Sequence, residues 1–314
     1  MKIIFMGTPD FACGCLDALI ENKHEVAMVI SQPDKKKGRG HKMLPPPVKE
    51  KALSYGIEVY QPETLKDNAI METLERVNPD LIVVVAYGKI LPSYILDYPK
   101  YGCINVHASL LPKLRGAAPI NWSIINGEEE TGVTTMFMDK GLDTGDMLVK
   151  KTVKIEENET AGTLHDKLSV LGAEALMETI SQIENGTLNR EEQAEFLSSY
   201  APMINKSDCL IDFSMNYKEL YNRMRGLMPY PGPFTYFKTK MVKFTSVKLG
   251  EKTDSKEYGT IWGFFPDKGL GVVAKGGIIY VEEFQFESSK KMKVSEYLKG
   301  HEIVSGDYFS SERA

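Results

Sequence analysis

At 314 residues the chain is long enough for two domains, each burying its own core. Hydrophobic residues at 42% and charged residues at 26% mark a globular protein and exclude a collagen-like or low-complexity chain. The formal net charge of -5 conceals a split. Residues 206–314 hold 17 Lys+Arg against 14 Asp+Glu, and the remainder holds 21 against 29. That split suits a polyanion resting on the C-terminal part and suits a plain solvated surface equally well.

Met1 to Met6 runs straight into Gly7, Pro9 and Asp10, without the pattern of a signal peptide. No apolar run approaches the roughly 20 residues that span a bilayer. Cys13, Cys15, Cys103 and Cys209 form no C-x-x-C pair, which argues against a zinc site or a disulfide framework. A reducing, cytoplasmic setting without a membrane partner is expected.

Residues 2–6 form an apolar run ending at Gly7, and helical spacing over 11–23 puts Phe11, Cys15, Leu16, Leu19 and Ile20 on one face. Val26 to Ile30 is a second strand candidate. The segment 33–47, with its lysines, Gly38, Arg39, Gly40, His41 and three consecutive prolines, reads as a long loop, and loops of that length are usually functional or mobile. Helical spacing returns around Val48–Tyr55 and Ala69–Val77, followed by strand candidates at Leu81–Ala86, Ile104–Val106 and Val133–Met138. Such alternation predicts an α/β, doubly wound, mostly parallel sheet of Rossmann-like form.

A long amphipathic helix over Thr163–Ile183 precedes a polar stretch, so the predicted N-terminal domain covers 1–188 and the linker 189–205. Over 206–314 a helix near Tyr217–Met224 leads into PYPGP at 229–233. Short runs of Tyr, Phe, Val and Ile then predict a smaller OB-like β-barrel. Tyr230, Phe234, Tyr236 and Phe237 are expected to be packing residues there.

Gly7-Thr8-Pro9-Asp10 lies at a strand-to-helix turn but lacks the glycines of a dinucleotide fingerprint and the lysine of a P-loop. The stronger signal is Asn105-Val106-His107. Residues two apart on a strand share a face, so an amide and an imidazole project together from a strand end, where open α/β sheets bind ligands. Asp143, in Gly141-Leu142-Asp143-Thr144-Gly145-Asp146, could orient His107 and favour its imidazolium form. Singly, each has a bland reading: a structural histidine, a turn-capping Asn, an Asp in a glycine turn. Cys103 alternates onto the same strand face, with packing as its expected role.

FMGTPDFA at 5–12, INVHASLLPKLRGAAPI at 104–120 and GVTTMFMDKGLDTGDML at 132–148 resemble the methionyl-tRNA formyltransferase family. RMRGLMPYPGPFT at 223–235 resembles the C-terminal domain of the same family. Lys36, Lys37 and His41 vary the basic loop, and Asp208 stands where relatives often have Glu. The resemblance implies Asn105, His107 and Asp143 as the catalytic centre. It also implies 10-formyltetrahydrofolate as co-substrate along Ser109, Leu110, Leu111 and Pro112, with no metal.

Asn-x-His with a downstream Asp is shared by formyltransferases acting on glycinamide ribonucleotide and on amino sugars, and so implies the reaction class alone. The tRNA-directed branch is implied by the basic loop, the SLLP and RGAAP segments and the C-terminal pattern. An amino-sugar nucleotide N-formyltransferase is the alternative. The expected partner is methionyl-initiator-tRNA, contacted by Lys36, Lys37, Arg39 and Lys42. Arg223, Arg225 and the lysines at 238, 240, 243 and 248 could line a tRNA-bearing face. Action as a monomer in translation initiation is expected.

Overall fold

The computed structural model describes residues 1–37 and 42–312, without the side chains of Lys37 and Lys42. In chain order the first elements are β1 (Lys2–Gly7), α1 (Cys13–Glu21), β2 (Glu25–Ile30), β3 (Lys35–Lys37) and β4 (Lys42–Leu44). Next come α2 (Pro47–Ser54), β5 (Val59–Tyr60), α3 (Met71–Val77), β6 (Leu81–Val85) and α4 (Ser93–Leu96). They are followed by β7 (Cys103–His107), β8 (Arg115–Gly116), α5 (Pro119–Ile125), β9 (Glu130–Phe137), β10 (Met147–Lys154), α6 (Ala161–Asn185) and β11 (Tyr200–Ala201).

Seven strands form one sheet in the order β10-β9-β7-β6-β1-β2-β5. The pairs β1–β2, β1–β6, β2–β5 and β6–β7 are parallel, and β7–β9 is antiparallel. Every residue of β6, Leu-Ile-Val-Val-Val, is buried, as a strand covered on both faces requires. One side of its core gathers Ile4, Met6, Met28, Ile82 and Val84. The doubly wound, mostly parallel sheet expected from the alternating pattern is therefore present.

The segment 33–47, expected as a long loop, contains the antiparallel pair β3–β4 in the register Lys35↔Leu44, Lys36↔Met43, Lys37↔Lys42. Strands of three residues are too short to declare a period of two among consecutive lysines.

The chain divides into two compact units, one of Met1–Pro119, Thr131–Val153 and His165–Ala201, the other of Ile120–Glu130, Lys154–Leu164 and Pro202–Ala314. Residues 189–205, expected as a linker, are shared between them. Gln193 is buried in the first unit, and Tyr200 and Ala201 pair in parallel with Arg115 and Gly116.

The second unit adds α7 (Tyr217–Gly226), β12 (Phe234–Phe237), β13 (Lys240–Lys252), β14 (Ile261–Phe265), β15 (Gly269–Ala274) and β16 (Gly277–Phe286). β17 (Met292–Lys293), α8 (Val294–Tyr297) and β18 (Phe309–Ser310) complete it. Its strands run β14-β15-β16-β13-β12-β18, with β17 on β16, and each of these pairs is antiparallel. Register shifts along β13–β16 bend the sheet into a half-barrel around Leu220, Phe244, Val272, Ile279 and Phe284. No helix among the described residues is long and apolar enough to cross a membrane.

Candidate active site

Asn105 and His107 stand at the C-terminal end of β7, where the strand pairs with Val84 of β6 on one side and with Met136 and Thr134 of β9 on the other. Pairing on both edges fixes the backbone, and the two-residue interval puts both side chains on one face. His107 is 6% exposed. Asn105 is half-buried, and its side-chain amide makes no hydrogen bond among the described residues.

His107 Nε2 lies 3.0 Å from the Leu114 carbonyl, and Nδ1 lies 3.7 Å from Asp143 Oδ2. The ring is thus anchored on a backbone carbonyl through Nε2, with the Asp143 carboxylate just beyond hydrogen-bond distance of Nδ1. The Leu114 carbonyl reaches the ring from a left-handed turn at φ +59°. Asp143, also left-handed at φ +55°, accepts the Gly116 N–H on Oδ2 at 2.8 Å. Gly116 has φ +115°, and a Cβ there would come 2.8 Å from the Ala201 carbonyl, so glycine is required where β8 and β11 meet. Gly145 is required for closeness rather than for φ. A Cβ there would sit 1.8 Å from the Phe137 carbonyl, blocking the 2.9 Å bond from Phe137 N–H to Asp146 O.

A side-chain relay lies behind this loop. The Gln193 amide donates to Asp143 O at 2.8 Å and to Gly145 O at 2.7 Å, and its Oε1 accepts from Arg115 Nε at 3.0 Å. Arg115, 1% exposed, pairs through Nη1 with Glu195 at 2.8 Å, and Glu195 is 75% exposed. Sequence reasoning missed Gln193 and saw Arg115 only as part of a segment. A glutamine in a polar run carries no signal of its own.

In the 109–112 segment, the buried Ser109 hydroxyl donates to Lys113 O at 2.6 Å. Thr134 Oγ1 donates to Ser109 O at 2.7 Å and accepts Leu111 N–H at 3.1 Å. Leu111 packs against Met136 and Met147. Ser109 and Leu111 thus turn into the protein, while Leu110 and Pro112 stay half-buried.

Cavities of about 390 and 550 Å³ share Leu96, Asp97 and Met138, and the larger reaches Cys103 at the start of β7. Neither is lined by Asn105, His107 or Asp143, so hydrogen-bond geometry rather than cavity volume defines the candidate site. Burial pushes the Cys103 thiol up to about 12, which leaves it protonated and inert, in keeping with packing. Among the described residues no three His, Cys, Asp or Glu side chains are grouped to hold a metal.

Of the basic segment, Lys36 is exposed, the backbones of Lys37 and Lys42 pair in register across β3–β4, and Arg39 lies outside the described residues. The base of the pair is clamped. Lys49 Nζ binds Asp34 at 2.8 Å and Gln61 at 2.7 Å, and Gln61 also donates to Asp34 at 2.8 Å. The hydrogen bond from Lys49, reinforced by that from Gln61, holds the Asp34 carboxyl below its usual range.

In the second unit two expectations need correction. Arg225 does not face solvent: it is buried, donating to the carbonyls of Glu156 and Glu159 and to Asn222, and burial lowers its pKa. Tyr230 is not a packing residue, being 82% exposed between two cis-prolyl bonds, whereas Phe234 and Phe237 are buried. Arg223 is half-buried on the Asp208 carbonyl, Lys243 is half-buried, and Lys238, Lys240 and Lys248 are exposed, the last paired with Glu282.

The formyl transferase family matches residues 1–180, and its C-terminal domain matches residues 203–302. A methionyl-tRNA formyltransferase of Geotalea daltonii is 50% identical over 98% of this chain and 97% of its own length. One of Clostridioides difficile is 50% identical over 98% of this chain and 99% of its own. The chain belongs to the methionyl-tRNA formyltransferase family. Among solved structures, HypX from Aquifex aeolicus in complex with tetrahydrofolic acid superposes with a TM-score of 0.67 at 17% identity, over 99% of this chain and 50% of that one. An N-formyltransferase from Helicobacter canadensis, solved with folinic acid and dTDP-3-aminofucose, gives 0.65 at 22% identity over 90% of this chain and 98% of that one. These two likenesses establish the fold alone.

Proposed function

We propose that the chain transfers the formyl group of 10-formyltetrahydrofolate to the amine of methionyl-initiator-tRNA, and that Asn105, His107 and Asp143 carry the chemistry. The observation that carries this reading is the convergence of an unengaged amide, a carbonyl-anchored imidazole and a carboxylate at the end of one strand. Membership of the family supplies the acceptor.

The donor set suits the reaction. As the amine nitrogen bonds to the formyl carbon, the formyl oxygen becomes an oxyanion that needs hydrogen-bond donors. The Asn105 amide is the donor already free. The His107 N–H that rests on the Leu114 carbonyl is the second, since a full negative charge is the stronger acceptor. One such donor is typically worth about 3 kcal/mol, or roughly 10²- to 10³-fold in rate.

The bond from the formyl carbon to N10 then breaks, the new amide is released, and the proton lost by the amine balances the one gained at N10. Asp143 is the group to receive and pass that proton. Its Oδ2 is occupied by Gly116, which leaves Oδ1 for the amine. In this reading the folate lies along Leu110 and Pro112, with Ser109 and Leu111 holding the segment in place.

For the acceptor, Lys36, Lys37, Arg39 and Lys42 of the 33–47 segment would grip the acceptor arm through its phosphates. Residues 206–314 would bear tRNA through exposed lysines such as Lys238 and Lys240. The chain would act as a monomer in the cytoplasm, in translation initiation. The test is an assay with 10-formyltetrahydrofolate that offers methionyl-initiator-tRNA and amino-sugar nucleotides in parallel. Formylation of the tRNA is expected, and formylation of the sugar alone would overturn the reading.

A further inference from the structure

We infer that Gln193, set by Arg115, is a positioning residue for the reaction: it locks the backbone on both sides of Thr144 so that the Asp143 carboxylate faces His107. The inference rests on the role given to Asp143 above. The loop needs such a lock. Asp143 occupies a left-handed conformation at φ +55°, and among the described residues its carboxylate meets the Gly116 N–H and, at 3.7 Å, the His107 ring. The outer part of the loop is held separately, by Gly141 N–H and the Thr144 hydroxyl on Asp139 Oδ1.

Gln193 is 8% exposed and places one NH2 between two carbonyls two residues apart, those of Asp143 and Gly145. Two bonds from one amide fix two peptide planes at once. The amide cannot turn over. Its oxygen is engaged by Arg115 Nε at 3.0 Å, and Arg115 can only donate. Arg115 is itself held by the pairing of β8 with β11 and by Glu195 at the surface.

Each link therefore determines the orientation of the next: Arg115 orients the Gln193 amide, the amide orients the loop, and the loop orients the carboxylate. Removal of the amide leaves two carbonyls without their donor and frees Asp143 to move relative to His107. A displacement of about 1 Å at a reacting group costs on the order of 10²-fold in rate. Gln193→Glu keeps the volume and the partner of Arg115 but turns a carboxylate oxygen toward the two carbonyls, so it is as disruptive locally as Gln193→Ala without opening a cavity.

The experiment measures steady-state formylation of methionyl-tRNA by the full chain as wild type, Gln193→Ala, Gln193→Glu, Asp143→Asn and the double variant Gln193→Ala/Asp143→Asn. Thermal melts follow folding. Both single Gln193 variants are expected to lose about 30- to 100-fold in kcat, with KM for either substrate within about threefold. In the Asp143→Asn background, Gln193→Ala should cost less than about twofold more, because its effect runs through Asp143. Full kcat in a folded Gln193 variant, or an equal loss in both backgrounds, overturns the inference while a slow Asp143→Asn enzyme leaves the reading of Asp143 standing. Wild-type turnover in Asp143→Asn removes both. If Gln193→Ala melts below the assay temperature, the isosteric Gln193→Glu decides alone.

Discussion

The loop over 139–146 and the strand pair β3–β4 are both short polar excursions from one sheet, and they are built in opposite ways. The first is fastened from several sides: a glycine that admits the Phe137 carbonyl, a glutamine amide on two carbonyls, and a backbone N–H on the Asp143 carboxylate. The second is clamped at its base by Asp34, Lys49 and Gln61 and beyond that carries exposed lysine. The difference fits the tasks proposed for them. Proton transfer and oxyanion stabilisation reward placement to a fraction of an ångström, whereas attraction to phosphates acts over about 10 Å at 0.1 M salt and tolerates motion.

Three measurements would break or sharpen that contrast. The largest effect is expected in the fastened loop. Asp143→Asn keeps the shape but cannot accept the amine proton, and should lower kcat by about 10²- to 10³-fold with folate affinity within about threefold. Unchanged turnover in a folded variant would take Asp143 out of the mechanism.

A smaller effect is expected in the basic segment 35–42. Arg39→Ala should weaken tRNA binding several-fold and lower the slope of log affinity against log salt by about 1, with kcat at saturating tRNA nearly intact. Equal affinity at two salt concentrations would sink the contact.

The smallest concerns the clamp. Because the Asp34 carboxyl is held below its ordinary value, its contribution is fully present above the usual carboxylate range and is lost as pH falls through the lowered value. Amide protection at Lys35 and Leu44, corrected for intrinsic exchange, should therefore fall below about pH 4 before that at Ile104. Parallel loss at all three positions would mean that the clamp has no separate role.

Much of this was readable in advance where a local period carried it. The run Leu81–Val85 reads as a strand buried on both faces, and Asn105 and His107 share a face because strand side chains alternate. Asp143 lies 36 positions beyond His107, and nothing in Gly-Leu-Asp-Thr-Gly states that its carboxylate will come within 3.7 Å of that ring. Gln193 and Arg115 were harder still, since hydrogen bonds between residues 78 positions apart leave no periodic trace. Arg225 and Tyr230 reversed their expected places for a related reason. Composition suggests charge outside and aromatics inside, but two backbone carbonyls can bury a guanidinium, and a turn between prolines can expose a phenol ring.

Sequence by itself determined the class of fold, the pairing of an amide and an imidazole on one strand and, through extended similarity, the family, because each is written in short intervals or in long runs of identity. Tertiary structure alone decided which acceptor holds His107 and which amide locks the Asp143 loop. It also decided which arginine is buried. Those are contacts between distant parts of the chain, selected by packing and by the requirement that buried polar groups find partners.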